Sequence, residues 1–230
     1  MKDGLLEKIR QFGHWRVNFQ PMRSLPQSLT LARCRELVQQ SAVSVRGWDF
    51  PHINHRNDDE GGYANVGSYV ENWTDWSGFC EFWRLYRSSQ FLSYVALRED
   101  TRRDEHGNPK VPIINAIATI YSISEFVEFA HRLHSHDLYD GGLILSIELR
   151  NTKNRVLIAG QNRVPFFDRF STAADTLKLD RRLHSQQFAV DHLELAAELC
   201  LEFFDNFGWN PARSQIEAEI DRFYRREWGY

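Results

Sequence analysis

The chain has 230 residues, of which 42% are hydrophobic, 13% aromatic and 26% charged, and its formal net charge is −3. These proportions exclude a disordered chain, and at this length folding buries about seven tenths of the surface, enough for a core without staples. The acidic balance, with a pI near 6.3, gives no support for nucleic-acid binding.

In chain order, Leu5, Leu6 and Ile9 on one face predict a short helix at 4–11 that Gly13 breaks. Trp15, Val17 and Phe19 then alternate with Arg16 and Asn18 over HWRVNFQP, the period of a strand. A helix is expected over 29–40, with Ser28 available as N-cap and Leu31, Cys34, Leu37 and Val38 on one face. VSVRGW reads as the next strand, running into Asp49-Phe50-Pro51-His52, and the polar stretch from Ile53 to Ala64 reads as an exposed loop.

Three strands are predicted at 67–75, 79–86 and 90–98, turning at Ser77-Gly78 and Ser88-Ser89. In the second of these, Cys80, Phe82, Arg84 and Tyr86 share one face, while Phe79, Glu81, Trp83 and Leu85 share the other. Neither face is wholly apolar, which marks one of them for a function or a partner. Residues 99–110 form a charged loop, and a strand is expected over 112–121. Ser122 and Glu125 have the spacing of a capping box before a helix at 124–135, with Phe126, Phe129, Ala130 and Leu133 as its core stripe.

After Gly141-Gly142, LILSIEL and RVLIAG read as a hairpin joined by Arg150 to Asn154. Residues 160–183 show little periodicity. Asp191 and Glu194 repeat the capping-box spacing before a helix at 192–207, and Asn210-Pro211 starts a last helix at 212–226. With strands clustered centrally and helices towards both ends, the expected fold is α+β. A mostly antiparallel sheet of hairpins has helices packed on one face, within a single domain over 1–230. Its core sheet spans about 13–160 and its C-terminal helical part about 185–228.

The N-terminal MKDGLLEKIRQF lacks the apolar run of a signal peptide. The stretch from Val111 to Ser124 is too short and too polar to span a bilayer. Cys34, Cys80 and Cys200 are widely spaced and read as buried reduced thiols. A cytoplasmic protein without membrane contact is expected.

Phosphate-loop, dinucleotide-binding, nucleophile-elbow, HExxH and CxxC signatures are absent, so no cofactor and no catalytic residue is assigned. The densest polar cluster is Arg46, Asp49, His52 and His55. Asp49, His52 and His55 are ligand types that zinc or iron accepts, but Pro51 breaks any regular period that would converge them. In a purely structural reading Arg46 pairs with Asp49 to lock a turn, Trp48 or Phe50 is buried, and His52 bonds backbone. In a functional reading Arg46 and His52 contact an anion such as a phosphate or carboxylate. Trp83 and Arg84 form a second cluster, suited either to stacking on a flat group or to cross-strand packing. His131 and His134, one helical turn apart, could chelate a metal or simply favour a helix C-terminus.

The segments HWRVNFQP, VSVRGWDFPHI, FWRLYRSSQF, ISEFVEFAHRL and ILSIELRNTKNRVL follow one another in that order. This series resembles an uncharacterised bacterial domain found alone or C-terminal to AlbA-like, Schlafen-type putative DNA-binding domains. The resemblance covers roughly residues 13–160, with RGWDFPH its most specific part. It implies a sensing or interaction module of bacterial regulatory or antiviral defence proteins and brings no catalytic residues with it. The chain leaves no room for the AlbA-like ATP-binding part, so a self-contained DNA-binding or ATPase role is not expected.

The resulting expectation is a non-catalytic module that binds a small anionic ligand or a partner protein through Arg46, Trp48, Asp49, His52, Trp83 and Arg84. The alternative is a metal-assisted hydrolase or nuclease using Asp49, His52 and His55. A homodimer is left open.

Overall fold

The computed structural model describes residues 1–101, 112–160 and 163–227. The period-two pattern of His14–Pro21 (β1) buries Trp15, Val17 and Phe19 against helices and makes this strand the centre of an antiparallel sheet. Around it the chain runs α1 (Leu5–Arg10), β1, α2 (Leu31–Ser41), β2 (Gly61–Val66), β3 (Tyr69–Trp76), β4 (Phe79–Tyr86), β5 (Phe91–Ala96) and α3 (Arg98–Thr101). It continues as β6 (Ile113–Asn115), α4 (Ala116–Ser135), β7 (Leu143–Arg150), β8 (Val156–Ile158), β9 (Thr176–Leu183), α5 (Ser185–Asp205) and α6 (Arg213–Tyr224).

The main sheet has seven strands in the order β2-β3-β4-β5-β1-β7-β9, every neighbouring pair antiparallel. The α+β expectation with a mostly antiparallel sheet and a helical C-terminus therefore holds. One hydrophobic core runs from Trp15 through α2, α4 and α5 to Phe223 of α6, all on one face of the sheet. On the other face α1 covers Cys80, Phe82, Tyr94 and Ala96 with Leu5 and Ile9. Beyond α1 this second face is polar, with Glu148 bridging Arg16 (2.9 Å) and Arg150 (2.5 Å). No helix among the described residues is long and apolar enough to cross a membrane.

Several local expectations are corrected. VSVRGW is not a strand. Val43 and Phe50 exchange backbone hydrogen bonds (2.8 and 3.0 Å) and close the residues between them into a loop, with Gly47 at φ +78°. The polar stretch after it is only partly a loop, because Gly61 and Gly62 already belong to β2 and Asn54 is buried. Asn54 N donates to Asn72 Oδ1 (3.0 Å) and Asn72 Nδ2 donates to Asn54 O (2.9 Å). Gly61 is required beside this pair, since a Cβ there would lie 1.8 Å from Asn54 Nδ2.

Thr30, rather than Ser28, caps α2 by accepting from Arg33 N. The strand expected at 112–121 ends at Asn115, whose side chain accepts from Ala118 N and starts α4. The two Ser/Glu capping-box residues, Ser122 and Glu125, therefore lie inside a helix. β8 does not fold back on β7. It pairs in parallel with β6, while β7 lies between β1 and β9. β9 occupies the stretch without readable period, and α5 begins at Ser185 with a break in helical geometry at Asp191, where the capping signal stands. Of the charged loop expected over 99–110, residues 102–110 lie outside the described residues, and Arg98–Thr101 is a helical turn.

Phe129 is fully buried against Phe91 (ring centroids 4.8 Å) and Phe50 (5.6 Å), joining α4, the sheet and the end of the 43–50 loop. Phe129→Ala should lower the unfolding free energy by about 3–5 kcal/mol, read from urea denaturation. A loss below about 1 kcal/mol would show that these three elements are not coupled through this ring.

Candidate ligand-binding site

A cavity of about 450 Å³ opens between the helix-facing side of β1, β4 and β5 and the first half of α4, with the 43–50 loop at its mouth. Trp15, Val95, Leu97 and Phe126 supply much of its apolar wall. Four carboxyl side chains, Asp49, Glu81, Glu99 and Glu125, and two guanidinium groups, Arg46 and Arg98, also line it. The volume falls in the range of small-molecule sites, which combine apolar walls with a few converging polar groups.

Arg46 reaches the cavity because the loop is pinned at its end by Phe50, whose ring packs on Phe126 (4.6 Å). Its Nε donates to Glu125 Oε1 (2.8 Å), and its Nη2 donates to Glu125 Oε2 and to Ser122 Oγ (3.3 Å). The partner of Arg46 is therefore a carboxylate of α4 and not Asp49, which corrects the turn-locking reading. Burial pushes the Glu125 carboxyl above the ordinary carboxylate range, against the pull of the Arg46 charge. Burial likewise raises Glu99, although Asn115 N donates to its carboxylate (3.3 Å).

Glu81 is the second anchor of the cavity. Strand alternation turns it towards the helices, where only 6% of its surface is exposed. Trp48 Nε1 donates to its Oε1 (3.2 Å), and its other oxygen has no partner among the described residues. Burial moves the Glu81 carboxyl up to about 7, opposed by the Trp48 hydrogen bond and the Arg98 charge and helped by Glu125 and Asp49. Trp48 is held for this contact by a stack. Its ring lies 3.9 Å from His52 on one side and 4.0 Å from Phe79 on the other, and Arg98 Cζ lies 4.2 Å from the centre of the Phe79 ring. Both faces of Trp48 are thus filled by the protein's own side chains.

The other residues singled out in the sequence divide. His52 belongs to the stack, and burial lowers its basicity. Trp83 is buried and donates to the His52 carbonyl oxygen (2.6 Å), so the two sequence clusters touch there. Arg84 points to the opposite face of β4, where its Nε donates to Glu71 (2.9 Å) and its guanidinium lies 4.6 Å from the Tyr69 ring centre. It is not part of the cavity. His55 is exposed and does not converge with Asp49 and His52. Among the described residues no three His, Cys, Asp or Glu side chains are placed to hold a metal ion. His131 stacks on His192 (3.8 Å), while His134 lies beside Ser185 (3.5 Å).

Glu81, Glu99, Asn115 and Glu125 do not stand out as site residues in the sequence. For Glu81 a signal exists, a carboxylate on an otherwise apolar strand face. For Glu125 the spacing with Ser122 reads instead as a helix cap. Comparison with protein-family models, curated proteins and solved structures finds no match for this chain.

Glu81 is harder to ionise in the folded protein than at its ordinary 4.5. Its stability contribution is therefore intact below pH 4.5 and is lost as pH rises through about 7. The loss is roughly 3 kcal/mol, at about 1.4 kcal/mol for each tenfold change in the ionisation constant. Glu81→Gln should therefore stabilise the protein by up to about 3 kcal/mol at pH 8 and by little at pH 4.5, read from urea midpoints at both pH values. A variant less stable than wild type at pH 8 contradicts this.

Removing Arg46 strands the Glu125 charge. Arg46→Ala should cost about 3 kcal/mol at pH 8, and Arg46→Ala with Glu125→Gln should recover most of that loss. Additive losses in the double variant would mean that the pair is not coupled.

Proposed function

We propose that the protein is a small-molecule-binding domain and that the cavity between the sheet and α4 is its binding site. The observation that carries this is Glu81. A carboxyl buried on the cavity wall, with one oxygen making no hydrogen bond to a described residue, is pushed by burial up to about 7, and such groups concentrate at functional sites. The apolar wall and the Arg46–Glu125 pair give the cavity a fixed outline before any ligand enters. Binding of this kind is also what the sensing role implied by the motif resemblance requires. The anion expected from the sequence depends on Arg46, which Glu125 already neutralises.

Ala118 lines the cavity with only a methyl group. Ala118→Phe should fill it while leaving the core between Phe126 and Phe203 intact. Both proteins would be dialysed against the small-molecule fraction of a cell extract, washed and denatured, and the released compounds identified by mass spectrometry. Wild type should retain a compound that the folded variant does not. Equal retention, or none by either protein, removes the cavity as a binding site.

A further inference from the structure

Among the described residues that line the cavity, carboxyl groups outnumber guanidinium groups four to two. Of its four carboxyl groups only Glu125 is matched by an ion pair within the lining, with Arg46. Among the described residues, Asp49, Glu81 and Glu99 share the cavity with one further guanidinium, that of Arg98, which lies over Phe79. An anion entering here would meet these carboxyls or have to displace Glu125 from Arg46.

An independent observation points the same way. Thr119, 4% exposed, lines the cavity one helical turn before Ser122, and its hydroxyl makes no hydrogen bond to any described residue. Hydroxyls inside helices ordinarily bond the carbonyl one turn back, as Ser124 Oγ does to Ile120 O (2.8 Å). A hydroxyl on α4 and a carboxyl oxygen on β4, both lining the cavity and neither hydrogen-bonded to a described residue, offer two acceptors to a ligand.

Resting on the reading of this cavity as a binding site, we infer that its ligand is a small organic cation. An ammonium or guanidinium head would be held by Glu81 and Thr119, with an apolar body along Trp15, Leu97 and Phe126. The head donates in several directions and needs acceptors only. The body suits a wall that is aromatic and aliphatic.

Binding is then linked to a proton. A cation selects the ionised form of Glu81, whose charged neighbours are Asp49 of the loop, Arg98 of α3 and Glu125 of α4, with Trp48 donating to it; Glu99 and Arg46 line the same cavity. With the Glu81 carboxyl near 7, affinity for a permanently charged ligand should rise about tenfold between pH 6 and pH 8, the ratio of ionised Glu81 at the two values.

The test is titration calorimetry of the full chain with a matched series of phenylbutylammonium, phenylbutylguanidinium, phenylbutanol and phenylbutyrate. Wild type, Glu81→Gln and Thr119→Val would be compared at pH 6 and pH 8. The expected result is preference for the two cations, at least tenfold weaker binding in Glu81→Gln with its pH dependence abolished, and several-fold weaker binding in Thr119→Val. Phenylbutyrate or phenylbutanol binding as well as the cations, cation affinity unchanged in Glu81→Gln, or no binding by any of the four would overturn the cation class. The cavity itself is decided separately by compound retention in Ala118→Phe, so failure of the ligand class and failure of the site can be told apart.

Discussion

The guanidinium of Arg46 lies against Glu125, and this contact fixes how the 43–50 loop meets α4. The loop has no strand partner beyond the Val43–Phe50 bridge, so its backbone alone does not determine where its side chains go. Phe50 sets the position of one end by packing into the core. Arg46 sets the orientation, because a buried carboxylate on a rigid helix accepts a planar, forked donor in few geometries. The consequences reach the opposite layer. Once the loop is oriented, Trp48 falls between His52 and Phe79, and its indole N–H meets Glu81 on β4. One ion pair and one stack thus join helix, loop and sheet around a space that none of them fills.

That space is costly to keep. Close-packed interiors leave few voids, and a buried carboxyl with a free oxygen is among the less favourable groups to enclose. Nothing about the fold demands it. β4 would pair with β3 and β5 equally well with an apolar residue at 81, since its neighbours Trp83 and Leu85 on the same face are buried in the main core. The contrast with Arg155 and Asp100 is instructive. That pair is bonded within the fold on several sides, with Asp100 also accepting from Gly13 N and Arg155 donating to the carbonyls of Asn151 and Ile113. It ties the start of β1 to the residues before β8. Glu81, by contrast, has one donor for its two oxygens, and the Thr119 hydroxyl makes no hydrogen bond to a described residue.

Much of the sheet is legible in the sequence because its strands obey one rule. β1, β3, β4 and β5 each bury one side chain in two against helices, and their turns carry Ser77-Gly78 and Ser88-Ser89, with Ser89 at φ +71°. What is not legible depends on partners distant in sequence. The residues Ile113 to Tyr121 are apolar and rich in β-branched side chains, and only the Asn115 cap shows where strand gives way to helix. From Phe126 to Ala130 every position of α4 is buried, so the stripe of Phe126, Phe129, Ala130 and Leu133 shows the helix but not that it is enclosed on all sides. Ser122 and Glu125 have the spacing of a capping box, but the same three-residue step places two side chains on one helix face. Whether such a pair bonds its own backbone or an arginine 79 residues earlier is a tertiary matter. β9 escapes a sequence reading because its exposed positions alternate with only two well-buried ones, Leu177 and Leu179.

The mixed faces of β4 suggest that one side of the hairpin serves a function, and the two sides treat their charges differently. Arg84, on the α1 side, is satisfied by Glu71, which also receives the N-terminal amine of Met1 and so ties the start of the chain to β3. That cluster is a stabilising device at the sheet surface, its charges partnered within the fold. Glu81, on the helix side, is buried with one donor for two oxygens. In the sequence the two are equivalent, polar residues three apart on an aromatic strand, and Arg84 is the better candidate because arginine among aromatic rings suggests stacking. Pairing reverses that order. A charge whose partners are already supplied by the protein has little left to offer a ligand, whereas a carboxyl with a single donor keeps capacity for another.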